Sequence, residues 1–268
     1  MSEKRSKGTA LVTGASRGIG KAIASALAAD GWYVTGTCRD PKRLSAEDRV
    51  PGVRYLPLDF GRKASVEALI RKARPVDVLV NNAGSGSIGP VEEAPIDKVR
   101  ALFETNFFGA VRLTQGVLPG MRARRTGAVI FIGSMASEVP RAFTSFYGAS
   151  KAALRAFSEA LRMEVRDLGI RVALVAPSFI ATTFPQDNQM KRGSVYAAAL
   201  GRVKQERDRM IMTGPEPSIV AEAVLDILGK RRPRAFTSVG RNARIVAFLV
   251  RHLPRRIVEA LSARRFKL

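Results

Sequence analysis

Short runs of aliphatic and β-branched residues recur along the chain, with amphipathic helical patterns between most of them. The runs are TALVTG (9–14), YVTGTC (33–38), VRYLPLD (53–59), VDVLVNNAG (76–84), GAVIFIGS (127–134), IRVALVAPS (170–178) and RAFTSV (234–239). Near-continuous apolar runs of this length suit strands buried on both faces, and helix-length intervals imply right-handed crossovers between parallel neighbours. The pattern predicts a single α/β domain over residues 1–240, with a doubly wound parallel sheet of about seven strands. Neither a linker nor a repeat divides it. Two segments fall outside the alternation. Residues 179–217 are polar and rich in Met, Gln and Arg, in the position of a substrate-covering insertion. Residues 241–268 form a basic extension that is helical by the spacing of Ile245, Phe248, Leu249, Leu253, Ile257 and Leu261.

Charge changes the picture of that extension. The formal net charge is +22, and from residue 229 onward twelve Lys and Arg face a single carboxylate, Glu259. Basic charge is necessary for nucleic-acid binding but far from sufficient, and no nucleic-acid partner is expected. The expectation for the tail is a pair of helices, broken at Pro254, that packs its apolar stripe on the domain and keeps its arginines in water. The alternative is peripheral contact with a membrane surface. Nothing spans a bilayer, because the apolar run 245–250 is far below the ~20 residues required. The N-terminus lacks the apolar stretch of a signal peptide. The lone cysteine, Cys38, excludes an internal disulfide and fits a reducing cytoplasm, and no Cys/His cluster has metal-ligand spacing.

Candidate chemistry begins with TGASRGIG (13–20), between the first strand and the first helix. Gly14, Gly18 and Gly20, with Ser16, Arg17 and Ile19 between them, would bring backbone N–H groups and a helix N-terminus to a pyrophosphate. A second glycine-rich stretch, GSGSIG (84–89), opens no helix and reads as a flexible loop near the cofactor. The second strand ends in Cys38 and Arg39, where a carboxylate would select NAD. Two guanidiniums, Arg17 and Arg39, instead favour a 2′-phosphate, so NADP(H) is the expected cofactor. Asp40, followed by Pro41, reads as a helix cap.

The stretch FYGASKAALRAF (146–157) places Tyr147 and Lys151 four residues apart on one helical face. A phenol with a pKa near ~10 is a poor proton-transfer partner at neutral pH unless its anion is stabilised, which a nearby cation achieves. The only histidine, His252, lies among arginines in the tail, which removes Ser-His-Asp catalysis.

Together, TGASRGIG, Asp59, NNAG (81–84), Asn106 in ETNFFG, Ser134 and Tyr147 with Lys151 resemble the short-chain dehydrogenase/reductase superfamily over residues 9–239. The resemblance implies a Rossmann-type fold and a set of roles. Tyr147 would be the general acid, Lys151 would hold the nicotinamide ribose and tune the phenol, Ser134 would bond the substrate oxygen, and Asn106 would anchor a relay water. Asp59 and Phe60 would meet the adenine, Asn81, Ala83 and Gly84 the adenosine and its ribose, and Pro177, Ile180 and Thr182 the carboxamide. Ser178 departs from the glycine common after that proline, which would narrow the substrate floor or shift the loop. GTCRDPKRL, ETNFFGAVRLTQGVLPGMR and PSFIATTF are most similar to the branch of 17-beta-hydroxysteroid and retinol dehydrogenases. That branch implies a lipophilic carbonyl or alcohol, with Phe143, Phe146, Phe179, Phe184, Met190 and Tyr196 as wall candidates. A homodimer or homotetramer is also implied. The readings kept beside it are a 3-oxoacyl or general ketoreductase with a polar substrate, and a non-catalytic NADPH sensor.

Overall fold

The structure, a computed structural model, describes residues 6–73 and 75–266. Seven parallel strands form the main sheet: β1 (Thr9–Val12), β2 (Tyr33–Cys38), β3 (Val53–Pro57), β4 (Val78–Asn81), β6 (Gly127–Ile132), β7 (Ile170–Pro177) and β9 (Phe236–Val239). A separate ribbon pairs β5 (Gly86–Ile88) with β8 (Gln186–Asn188), also in parallel. The order β3-β2-β1-β4-β6-β7-β9 runs outward from β1 and then resumes on its other side, so the winding direction reverses between β1 and β4. Loops leaving the carboxyl ends of those two strands diverge to opposite faces and open a crevice there.

Period-2 alternation sends side chains to two separate cores. Leu11, Leu79, Val129, Phe131, Val172 and Leu174 face helices α2 (Lys63–Ala73), α4 (Gly109–Arg124) and α5 (Ser145–Glu164). Their neighbours Ala10, Val12, Val78, Val80, Ile130, Ala173 and Val175 face the other way, against Ile23, Ala24 and Leu27 of α1 (Gly18–Ala29) and Val220, Ala221, Val224 and Ile227 of α7 (Ser218–Gly229). Each fully buried aliphatic side chain contributes about 1.5–3 kcal/mol, which is why both faces of every central strand read as apolar. A shorter helix, α3 (Ile96–Phe103), runs into α4 through a π-helical turn, Glu104–Phe108.

Two expectations are overturned. The GSGSIG stretch is not a flexible loop: its central residues are strand β5, bound to the insertion through β8. A Cβ at Gly89 would stand 2.2 Å from the Gln189 carbonyl oxygen, so this glycine exists for close backbone approach. Strand β8 and helix α6 (Ala197–Met212) lie within the insertion, and Leu200 and Val203 of α6 bury against Ile88. The second correction concerns the tail, helices α8 (Ala243–His252) and α9 (Arg255–Arg265) with Pro254 between them. The residues that pack inward are Ala243, Ala247, Val258 and Phe266, while Ile245, Phe248, Leu249, Ile257 and Leu261 are exposed. Small residues allow α8 to lie close to the sheet edge, which turns its large apolar side chains outward.

Candidate active site

The glycine turn is fixed by packing and by one threonine. Gly14, at φ 67°, adopts a backbone that L side chains avoid, and a Cβ there would lie 3.1 Å from Ala83 Cα. A Cβ at Gly20 would stand 2.1 Å from the Gly14 carbonyl oxygen, so any larger residue pushes α1 off the turn. Thr13 Oγ1 accepts hydrogen bonds from the Asn82 and Ala83 N–H groups, each at 2.9 Å, and Asn82 Nδ2 donates to the Thr13 carbonyl at 2.8 Å. Those bonds join the ends of β1 and β4 across the crevice. Asn82 was passed over in the sequence reading, although the doubled asparagine of NNAG was its signal.

Arg17 and Arg39 are both exposed, and neither side chain makes a hydrogen bond or ion pair with another described residue. Asp40 is already engaged, accepting from Lys42 N–H at 3.0 Å and pairing with Arg43 at 3.4 Å. Two free guanidiniums and an occupied carboxylate suit a phosphate better than a ribose hydroxyl. Cys38, half-buried at the end of β2, has its thiol pKa raised by burial. Asp59 Oδ1 accepts from Gly61 N–H at 3.0 Å. Phe60 packs its ring under Gly109, so only its backbone remains for a base. Asn81 likewise turns its side chain away: Nδ2 donates to Thr114 Oγ1 at 3.1 Å in the core, and Oδ1 has no partner.

Asn106 sits in the π-turn and is buried. Its Oδ1 accepts from Ser85 N–H at 2.9 Å, and its Nδ2 donates to the Ser85 carbonyl at 2.9 Å and to Ser150 Oγ at 3.0 Å. The side chain therefore clasps the loop after β4 to α5, and a relay water would need the main chain of Asn106. π-Turns leave the ordinary helical ladder and are frequent where backbone groups are put to use.

Ser134, at the end of β6, accepts from Ala136 N–H at 3.1 Å and hydrogen-bonds the Tyr147 hydroxyl. Lys151 is only 4% exposed, and its Nζ donates to the Ile132 carbonyl at 3.0 Å, 6.0 Å from the Tyr147 ring centre. Burial lowers its pKa to about 8. Gly84 faces both groups: a Cβ there would lie 3.1 Å from Asn106 Oδ1 and 3.5 Å from Lys151 Nζ. The Tyr147 pKa is raised, first by burial, while the Ser134 hydrogen bond and the charge of Arg141 act the other way. Arg141, which the sequence reading missed, is thus a further cation beside the phenol. Its guanidinium stands 5.0 Å from the Phe179 ring centre, and it makes no ion pair with a described residue.

Four of the six candidate wall residues converge here. Phe184 lies edge-on to Tyr147 at 6.1 Å, Tyr196 meets Phe143 at 6.1 Å, and Phe143 and Phe179 pack against the cluster of Ile88, Leu200, Val203 and Phe266. Phe143 adopts φ 63°, rare for an aromatic residue, while its carbonyl accepts from Gly89 N–H at 2.8 Å. Met190 is exposed on the insertion, and Phe146 is half-buried on α5. Beyond β7, which ends at Pro177, Ile180 is buried, and Thr182 Cγ2 would lie 3.3 Å from a Cβ at Gly18. Ser178 Cβ faces Gly240, where φ is 120° and an added Cβ would come within 3.1 Å of it. The extra carbon at 178 is accommodated by a missing one at 240, on the β9 side.

Comparison with known proteins follows the same lines. A family model described as short chain dehydrogenase matches residues 8–193. The chain is 34% identical to a 3-ketodihydrosphingosine reductase of Bacteroides thetaiotaomicron over 86% of this chain and 87% of that protein. It is 32% identical to retinol dehydrogenase 8 of Homo sapiens, over 84% and 79% respectively. Among solved structures, a short-chain dehydrogenase from Streptomyces avermitilis superposes with a TM-score of 0.84 at 33% identity over 98% of both chains. A closed serine dehydrogenase complexed with NADP+ gives 0.74 at 29% identity, over 87% of this chain and 94% of that one.

Proposed function

Because the chain belongs to the short-chain dehydrogenase/reductase family, we propose that it is an NADP(H)-dependent oxidoreductase that interconverts a lipophilic ketone or aldehyde with its alcohol. The observation carrying this reading is the convergence of Tyr147, Ser134 and buried Lys151 at the carboxyl end of the same parallel sheet whose strand β1 leads into the glycine turn. Arg17 and Arg39 would hold the 2′-phosphate, and the turn at Gly14, Gly18 and Gly20 the pyrophosphate. Bound NADPH supplies the hydride. Tyr147 gives its phenolic proton to the carbonyl oxygen, Ser134 donates a hydrogen bond to the same oxygen, and Lys151 meets the ribose hydroxyls. The main-chain carbonyl in the Asn106 turn supports the relay that reprotonates the phenol. Reduction is the working direction wherever the NADPH pool is kept reduced, as in a cytoplasm that keeps Cys38 a thiol.

The aromatic wall and the two relatives support a lipophilic substrate. Arg141 favours a narrower second reading, a keto substrate whose anionic or carbonyl acceptor group lies beside the reacting centre, as in a 3-oxoacyl compound. A homo-oligomer is the assembly we propose, with Phe108 and Met163, exposed near the ends of α4 and α5, as its apolar contacts.

The first test is a fluorescence titration with NADPH and NADH. NADPH should bind at least about tenfold more tightly, and Arg39→Asp should abolish that preference, since a charge-assisted hydrogen bond contributes about 1.5–3 kcal/mol. Tyr147→Phe should retain NADPH binding and lose turnover across a ketone panel. If the variant turns over as well as an active parent, Tyr147 is not the proton donor; if the parent binds NADPH and turns over no ketone, the chain is a nucleotide-binding module rather than this enzyme.

A further inference from the structure

The outward faces of α8 and α9 are apolar where a solvated helix would be charged. Ile245 and Phe248 are 59% and 61% exposed, Leu249 is 39% exposed, and Ile257 and Leu261 continue the patch on α9. Their spacing puts Ile245, Phe248 and Leu249 on the side of α8 opposite Ala243 and Ala247, which pack on the domain. Around them stand Arg241, Arg244, Arg251, Arg255, Arg256, Arg264 and Arg265, all exposed, against the single carboxylate Glu259. Arg241, Arg244, Arg256 and Arg264 form no ion pair with a described residue.

We propose that α8 and α9 form one docking face for an anionic lipid bilayer, with Ile245, Phe248, Leu249, Ile257 and Leu261 inserted among the headgroups and Arg241, Arg244, Arg256 and Arg264 at lipid phosphates. Apolar insertion and cationic attraction are the two contributions by which interfacial helices bind, and both are present on one face. A second copy of the chain is a poorer occupant: a self-complementary contact would bring the two arginine rims together with only Glu259 on each side to offset them. A nucleic-acid backbone would meet the arginines and leave the apolar stripe in water. No helix among the described residues is long and apolar enough to cross a membrane, so this face lies on the bilayer.

The face also adjoins the candidate substrate wall. Ser262 Oγ donates to the Pro140 carbonyl at 2.7 Å, Arg255 reaches the Glu138 carbonyl at 3.4 Å, and Arg265 pairs with Glu206 of α6 at 3.2 Å. Phe266 buries beside Phe143 and Phe179. Delivery of an apolar substrate from the bilayer to that wall rests on the oxidoreductase reading; the docking itself does not.

The test is co-sedimentation of the full-length protein with vesicles of phosphatidylcholine alone, and of phosphatidylcholine with one third phosphatidylglycerol. Binding should be at least about tenfold stronger to the anionic vesicles and should weaken with salt. The double variant Ile245→Ser/Phe248→Ser and, separately, Arg244→Glu/Arg256→Glu should each lose at least about tenfold in vesicle binding while keeping turnover of a small water-soluble ketone. Unchanged vesicle binding in both variants overturns the proposal. So does binding of duplex DNA without binding of vesicles, or a drop in oligomeric state in the serine variant by light scattering. An inactive parent protein that still binds anionic vesicles would overturn the oxidoreductase reading and leave the docking face standing.

Discussion

Helices α5 and α8 break the usual partition of side chains in opposite senses. On α5 an ammonium, Lys151, and two hydroxyls, Ser150 and Ser158, are buried. On α8 an isoleucine and a phenylalanine stand in solvent. The buried lysine retains one hydrogen bond, to the Ile132 carbonyl, and its pKa falls, so the fold bears the cost of an ill-solvated charge. The exposed apolar pair costs the fold almost nothing, because an apolar side chain left in water forgoes a gain and strains no neighbour. A costly inversion needs a use that offsets it, which the proposed proton transfer would supply; an inexpensive one needs no more than a surface that meets a partner.

The largest effect that would sharpen this contrast is Lys151→Met. Turnover should fall about 10²–10⁴-fold, the range for loss of a positioned proton-transfer group, while the fold gains up to about 3 kcal/mol at neutral pH. The gain has a defined pH window. An ammonium with pKa about 8 in the fold and 10.5 in an unperturbed chain binds fewer protons when folded between those values. Its penalty is therefore full below pH 8 and fades as pH rises toward 10.5. Thermal unfolding of both proteins from pH 7 to 10 should show the variant's advantage shrinking with pH. An advantage that grows with pH would mean that Lys151 is not held charged in a poorly solvated site.

Next in size is Leu154→Ala, one helical turn beyond Lys151. Leu154 is buried, and its truncation should cost about 2–5 kcal/mol in a denaturant titration. A loss below 1 kcal/mol would show that α5 is loosely packed and that the positions of Tyr147 and Lys151 are not fixed by the core.

Arg141→Met should change the pH profile without a comparable change in stability. Arg141 opposes the upward shift that burial imposes on Tyr147, so its removal should raise the phenol pKa further. On the proposed mechanism the phenolate would be the base in the alcohol-oxidising direction, and the limb on which kcat rises with pH should move to higher pH. Arg141→Lys should restore part of the parent profile. A limb that stays in place would confine Arg141 to contact with Phe179 and the substrate.

How much of this was legible in the sequence follows from which physical signal each part emits. Strands β1, β4, β6 and β7 announced themselves because burial on both faces writes an apolar residue at nearly every position, while β2, β3 and β9, partly exposed, were read from their β-branched and aromatic residues. The glycine turn was equally plain, since only glycine tolerates a 2.1 Å approach at Gly20. Strands β5 and β8 were hidden: each has three residues, and a ribbon that short carries no periodicity. Arg141 was missed because it sits on an irregular loop, near Tyr147 only after Phe143 turns the backbone at φ 63°. The direction of the α8 stripe was unreadable for a different reason. Periodicity reveals that a helix has two unlike faces, but it does not say which one meets the domain, and here the smaller side chains do.

The smallest effect tests that last point most directly. Phe248→Ala removes a larger side chain than Leu154→Ala, yet Phe248 is 61% exposed and its one ring contact among the described residues is with His252 at 4.3 Å, on its own helix. Exposed substitutions of this kind stay within about 0.5 kcal/mol of the parent protein. Denaturant midpoints for Phe248→Ala and the parent should therefore coincide, and should do so at every protein concentration. A loss of 2 kcal/mol or more, growing with concentration, would mean that a second copy covers Phe248 in solution. The contrast between α5 and α8 would then vanish, since both helices would bury what they carry, one inside its own domain and the other between two.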